Sequence, residues 1–150
     1  MKKIIIFLTF LLLTSCGYKP VFSSKNSNFS IEEIIYNEND RISIKIKKGL
    51  SYLTSLKNYE EIIKLQLKSD KKITISSKNT KGDPLVYKMT IITEIKIYSN
   101  DKLIKEKNIS KKFSYNNISN KFDLKQYEKI IEQNLVEKIK EDIVLILYNR

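Results

Sequence analysis

From Leu85 to Ile97 the chain alternates with a period of two. Leu85, Tyr87, Met89, Ile91, Ile95 and Ile97 fall on one side, and Lys88, Thr90, Glu94 and Lys96 on the other. A helix would scatter these residues around its axis, whereas an extended backbone sends them to opposite faces. The segment therefore predicts a long strand with one face buried and one face wet. Such a strand cannot stand alone. It needs neighbours along its edges and a layer over its apolar face.

The rest of the chain supplies both. Phe29 to Tyr36 predicts a first strand with Phe29, Ile31 and Ile35 on one side, ended by the turn signal Asn37-Glu38-Asn39-Asp40. Ile63, Leu65 and Leu67 alternate with Lys64, Gln66 and Lys68. Ile73 and Ile75 resume the alternation beyond a short turn expected at Ser69-Asp70. A loop over 79–84 leads into the long strand, and Ser99-Asn100-Asp101 turns it back into another over 102–115. There Leu103, Ile109, Phe113 and Tyr115 share a side with Lys105, Lys107 and Lys111, the mixed face of a partly covered edge strand. Edge lysines also deter strand-to-strand aggregation, so they have a structural reason to be present.

Two stretches read as helices. Over 41–56, Ile42, Ile44 and Ile46 alternate as in a strand, but Ile42, Ile46, Leu50, Leu53 and Leu56 recur at helical spacing; the longer pattern favours a helix despite Gly49. Near the C-terminus, Tyr127, Ile131, Leu135, Ile139 and Ile143 step by four, with Leu147 extending the stripe and Ile130 and Ile146 widening it. Asp123 as N-cap, Gln126 completing a capping box, and a Phe122–Tyr127 staple would start this helix. The expected fold is α+β: a mostly antiparallel four-stranded sheet with two helices packed on one face, in the order β-α-β-β-β-α. The opposite face would be polar and lysine-rich.

The first residues read as an export signal. Lys2 and Lys3 precede an apolar run, Ile4 to Leu13, broken only by Thr9, and Leu13-Thr14-Ser15-Cys16 follows directly. The run is too short for a permanent span, which needs about 20 residues. Cys16 stands where a bacterial lipoprotein precursor is cut and acylated. This divides the chain into a signal peptide over 1–15, a lipidated tether over 16–28 and a single domain over 29–150. Several acyl chains on one residue anchor a protein stably, each buried methylene contributing about 0.8 kcal/mol. Cys16 is the only cysteine, so the fold rests on its core rather than on disulfides.

From Cys16 onward the chain carries 26 basic and 17 acidic residues, a net charge of +9. The basic excess lies in the strand-like middle, with eight lysines against four acids over 57–88 and six against one over 102–121. A basic face attracts polyanions. For an exported, membrane-tethered chain these are anionic lipids or phosphorylated glycolipids rather than nucleic acid, and a solvated lysine-rich surface remains the plain alternative. With no histidine, and no cysteine beyond Cys16, the Ser–His–Asp and Cys–His arrangements and soft metal sites have no residues to build them. Asp70, Asp83 and Asp101 fall in expected turns, and the three glycines form no phosphate loop. The expectation is no catalytic residue, no metal and no cofactor.

Cys16-Gly17-Tyr18-Lys19-Pro20-Val21-Phe22 resembles the start of mature members of the LPS-assembly lipoprotein LptE (RlpB) family, in its alphaproteobacterial form. Phe113-Ser114-Tyr115-Asn116-Asn117 and Phe122-Asp123-Leu124-Lys125-Gln126-Tyr127-Glu128 are similar to the family's aromatic-rich approach to its last helix. Asn134-Leu135 through Ile139, then Asp142-Ile143 and Leu147, resemble that helix's closing pattern. In the family motif Leu-Tyr stands where this chain has Val21-Phe22. The resemblance implies a sheet with two helices on one side, lipid on Cys16 and an outer-membrane location with the domain facing the periplasm and a barrel lumen. It also implies a role as the plug of an LptD-like β-barrel that inserts lipopolysaccharide into the outer leaflet. Lys78, Lys81 and Lys88, around the 79–84 loop, are the candidate glycolipid contacts. The alternative is a lipid-anchored periplasmic module that binds an anionic envelope ligand without a barrel partner; it would require a concave, apolar-lined pocket.

Overall fold

The computed structural model describes residues 29–54 and 60–149. The expected signal over 1–15, the attachment point Cys16, the tether over 16–28 and the stripe residue Leu56 lie outside the described residues. Strands β1 (Phe29–Tyr36), β2 (Glu61–Lys78), β3 (Pro84–Ser99) and β4 (Lys102–Asn116) form one sheet in that spatial order. Helix α1 (Arg41–Leu50) lies between β1 and β2 in the chain, and α2 (Lys121–Tyr148) follows β4. β1 runs parallel to β2, and the other two pairs are antiparallel. This is the expected α+β order, a mostly antiparallel four-stranded sheet with both helices on one face.

The core forms where the two periodicities meet. Ile63, Leu65 and Leu67 of β2 and Met89, Ile91, Ile95 and Ile97 of β3 face Ile42, Ile46 and Leu50 of α1 and Ile131, Leu135, Ile139, Ile143 and Leu147 of α2; all are buried. Each such side chain contributes about 1.5–3 kcal/mol relative to exposure. The Lys140 side chain lies over Gly49, where a Cβ would make its flexible end move aside.

Length decides what stays uncovered. At 1.5 Å per residue the ten-residue α1 is about 15 Å long, whereas the eighteen residues of β2 extend about 60 Å. The distal half of the β2–β3 hairpin therefore projects past α1, leaving Ile73, Ile75 and Leu85 exposed. Its tip is tied by Asn79, whose side-chain oxygen accepts from the backbone N–H groups of Lys81 and Asp83 at 2.9 and 2.8 Å, with Gly82 at a φ of 89°. At the other end Asn100 and Asp101, both left-handed at φ 49° and 59°, make the two-residue turn into β4.

Several local expectations are corrected. A register shift between Ile31 and Glu33 in β1 buries Ile34 and leaves Ile35 41% exposed. A second shift, at Ile97/Tyr98, places Leu103 opposite Tyr98 and so off the core face. The helix expected over 41–56 ends at Leu50 and tightens into a 3-10 turn, Ser51–Thr54, that keeps Leu53 buried. Helix α2 starts earlier than expected. Its N-cap is Asn120, whose side-chain oxygen accepts from the N–H groups of Phe122 and Asp123 at 2.9 and 3.5 Å. Asp123 is thus a first-turn acid favoured by the helix dipole, and Phe122 is 67% exposed rather than stapled.

The turn expected at Ser69-Asp70 is continuous strand. Its polar residues serve a chain of hydrogen bonds across the layers. Asp40, the N-cap of α1, accepts from Ser43 N–H at 2.9 Å, Ser43 Oγ at 2.5 Å and Ser69 N–H at 2.7 Å. Each hydroxyl has one proton to give. Because Ser43 gives its proton to Asp40, Ser69 donates to Ser43 at 2.9 Å and Thr93 donates to Ser69 at 3.0 Å. Ser43 and Thr93 are fully buried, so the chain satisfies groups that would otherwise be costly.

Beside it, Glu132 of α2 is held between Lys45 of α1 and Lys71 of β2, with Lys71 Nζ at 2.6 Å. Burial pushes its carboxyl up, but the two ammonium groups outweigh burial and hold it below its ordinary value of 4.5. A carboxylate favoured in the folded state stabilises fully above that value, and the contribution fades as pH falls through the depressed one. Wild type should exceed Glu132→Gln by about 1–3 kcal/mol in urea unfolding at neutral pH. The gap should close below about pH 4, checked by midpoints measured across the acid range. At the cap, Asn120→Ala should lower stability by about 1 kcal/mol, and more than Asp123→Ala does, in the same measurement.

Candidate functional site

On the face away from the helices, strand register assembles a row of cations. Lys72 of β2 and Lys112 of β4 both stand opposite Thr90 of β3, so they flank it. Lys88 stands opposite Thr74 and Ser114, one pleat nearer the hairpin tip. Directly opposed residues on one face have Cβ atoms about 4.5–5.5 Å apart and diagonal ones about 7–8 Å, so the three ammonium groups reach one another's surroundings. None of the three has an ion pair among the described residues, and Asp70 is the acid next along this face of β2.

Further along the same face the charges are matched. Lys64 pairs with Asp101 at 2.8 Å, and Lys96 with Glu94 at 3.0 Å and Glu106 at 3.7 Å. Hydrogen bonding to Lys64 holds the Asp101 carboxyl below its ordinary value, and hydrogen bonding to Glu94 raises the Lys96 ammonium. The face is therefore divided: neutralised near the β3–β4 turn and positively charged toward the projecting hairpin.

Of the residues singled out from sequence, Lys88 lies in the unmatched cluster. Lys78 pairs with Pro84 at the base of the tip, about 13 Å along β3 from Lys88, and Lys81 sits beyond it in the tip turn. They lie in one region but do not form one constellation. Lys72 and Lys112, which complete the cluster, were missed, since only the register between strands distinguishes them from other lysines. Cys16 lies outside the described residues.

Clefts differ in their lining. A cleft of about 510 Å³ beside Asp40 is lined by Arg41, Lys45, Lys71, Lys129 and Glu132, and one of about 440 Å³ at β1 by Glu32, Glu33, Glu38 and Lys47. Both carry several charged side chains, whereas a groove of about 340 Å³ between β4 and α2 is lined by Phe113, Tyr127, Ile130 and Leu135. Among the described residues no group of three or more Cys, His, Asp or Glu is placed to hold a metal, and no helix is long and apolar enough to cross a membrane.

No family model matches this sequence, and no curated protein matches it. Solved structures do. A rare lipoprotein B from Shewanella oneidensis superposes with a TM-score of 0.56 at 10% identity, covering 77% of this chain and 92% of that one. A minor lipoprotein from Acinetobacter baumannii gives 0.60 at 12% identity, covering 82% and 92%. A lipoprotein from Caulobacter crescentus gives 0.56 at 10%, covering 82% and 89%. The identities are low and the coverage is nearly complete on the other side, so the likeness is one of architecture: this chain has the fold of these bacterial lipoproteins.

Proposed function

We propose that this chain is an outer-membrane lipoprotein, anchored through Cys16 with its domain on the periplasmic side, that plugs and helps assemble a large LptD-like β-barrel and so supports lipopolysaccharide insertion. The observation that carries the reading is a fold shared with bacterial lipoproteins, and the Leu13-Thr14-Ser15-Cys16 stretch, read as the end of an export signal, supports it. The work is done by surface complementarity, without chemistry. The projecting β2–β3 hairpin and the loops fill the barrel, and Lys72, Lys88 and Lys112, with Lys78 and Lys81 at the tip, pair with phosphates of the glycolipid in transit. Such ammonium–phosphate pairs strengthen where water is partly excluded and are screened in open solution.

Capture of the full chain through a C-terminal tag in mild detergent should recover a large β-barrel protein, identified by mass spectrometry; recovery of free monomer alone would sink the proposal. Independently, replacing Lys72, Lys88 and Lys112 together by Gln should weaken retention on immobilised lipopolysaccharide about tenfold at low salt, with a shallower salt dependence. Lys72 and Lys112 are exposed, Lys88 is half-buried and none of the three makes an ion pair among the described residues, so the variant's thermal unfolding should match wild type within a few degrees.

A further inference from the structure

Three elements meet at the cleft of about 510 Å³ beside Asp40: the start of α1, the middle of β2 and the first half of α2. Arg41 and Lys45 stand four apart on α1, and Lys129 and Glu132 three apart on α2, so each pair shares one flank of its helix. Lys71, opposite the fully buried Ile91, reaches in from the helix side of β2. Four cations therefore line the cleft against two acids, Asp40 and Glu132.

Both acids are already engaged. Asp40 accepts from Ser43 and Ser69, and the two oxygens of Glu132 take one ammonium each, Lys45 on Oε1 and Lys71 on Oε2. An ammonium group has three donors, so Lys45 and Lys71 each keep two N–H groups beyond their bond to Glu132. Arg41 and Lys129 have no side-chain hydrogen bond or ion pair among the described residues. The cleft thus holds many charged donors and no free acceptor for them. Glu132 also fixes Lys45 and Lys71 in place, so half of the cations are positioned before a ligand arrives.

We propose that this cleft binds a phosphate monoester borne on a polar, hydroxylated group. Four cations less two acids leave two positive charges. A phosphate monoester carries close to two negative charges at neutral pH and has three strong acceptor oxygens. Charge-assisted bonds from Lys45, Lys71 and Lys129 suit those oxygens, and Arg41 adds a planar fork of donors. The lining sets the rest of the ligand. The volume is that of a small-molecule site, but among the described residues that line it Ile42 alone is apolar. Asn39 and Ser69 present polar groups to hydroxyls instead. Lys71 and Lys72 are neighbours on opposite faces of the sheet, so this site is separate from the Lys72, Lys88 and Lys112 cluster. It stands or falls independently of the barrel assignment.

The test is titration of the isotope-labelled full chain in detergent with glucose-6-phosphate, followed by amide NMR shifts. Resonances of 39–45, 69–71 and 129–132 should move together and saturate, while glucose moves none of them. Arg41→Gln and Lys129→Gln should each weaken binding about fivefold or more, with thermal unfolding unchanged because neither side chain has a partner to lose. Lys72→Gln removes the same charge from the other face and should weaken binding by less than about twofold. Absence of saturable shifts would overturn the proposal. So would equal weakening by Lys72→Gln, which would reduce the effect to net charge, or equal affinity for glucuronate, which carries a single carboxylate. A phosphoinositide in the same micelles separates the two sources of such an ester. Competition with glucose-6-phosphate would support the site with a lipid headgroup as its ligand, and lack of competition would support it with a soluble one.

Discussion

Everything else in this molecule is arranged around one contact: the four-step stripe of α2, from Ile131 to Leu147, lying on the Met89–Ile97 face of β3. β3 is a central strand, paired on both edges, so its apolar face has nowhere else to go. Covering it takes a helix long enough to follow it, and α2 with 28 residues, about 42 Å, is that helix. Once α2 occupies the β3–β4 half, the β1–β2 half needs only a short cover, and α1 with its 3-10 extension provides it. The ring contacts Tyr87–Tyr115 at 5.8 Å and Tyr115–Tyr127 at 6.1 Å close the seam near the start of α2, where the Tyr115 hydroxyl donates to Glu128 at 2.6 Å. Burial and that hydrogen bond to Glu128 both push the Tyr115 hydroxyl's pKa up, so it stays protonated and able to donate.

The elements on either side of this contact were legible because their periodicity is strict. Period two in β3 and steps of four in α2 each identify an element and its inward face together. What failed to show was local and had local causes. Single-residue irregularities in β1 and β4 invert the side chains beyond them, and no pattern in Ile31–Ile35 or Leu103 announces where the extra residue falls. Ser69-Asp70 has the composition of a turn because its serine is polar, but the polarity serves a buried hydroxyl partner 24 residues away in Thr93. Asn120 and Asp123 are both good caps, and only the path of the chain out of β4 chooses between them.

The lysine cluster was legible as a tendency and not as a place. A basic excess over 57–88 is visible by counting, yet whether a given lysine is matched depends on strand partners far away in sequence. Lys96 is neutralised by Glu106 across the β3–β4 pair, whereas Lys112 meets Thr90 there. Lys88 happens to lie in the unmatched zone; Lys72 and Lys112 have no local mark that separates them from Lys64 or Lys105.

The hydroxyl chain from Thr93 to Asp40 has one more consequence. An alternating strand tolerates a slip of two residues, since every side chain then keeps its face. In β2 and β3 such a slip would leave isoleucines and leucines still opposed, so hydrophobicity alone discriminates poorly between registers. It would, however, set Leu67 or Lys71 opposite Thr93 and bring Ser69 against Ile91 or Ile95, leaving the buried Thr93 hydroxyl without its Ser69 partner. The polar chain therefore works as an index mark. It makes one alignment of two long, otherwise self-similar strands distinguishable from its neighbours, and it does so at the level where α1 begins, so the helix and the hairpin are set by the same stop.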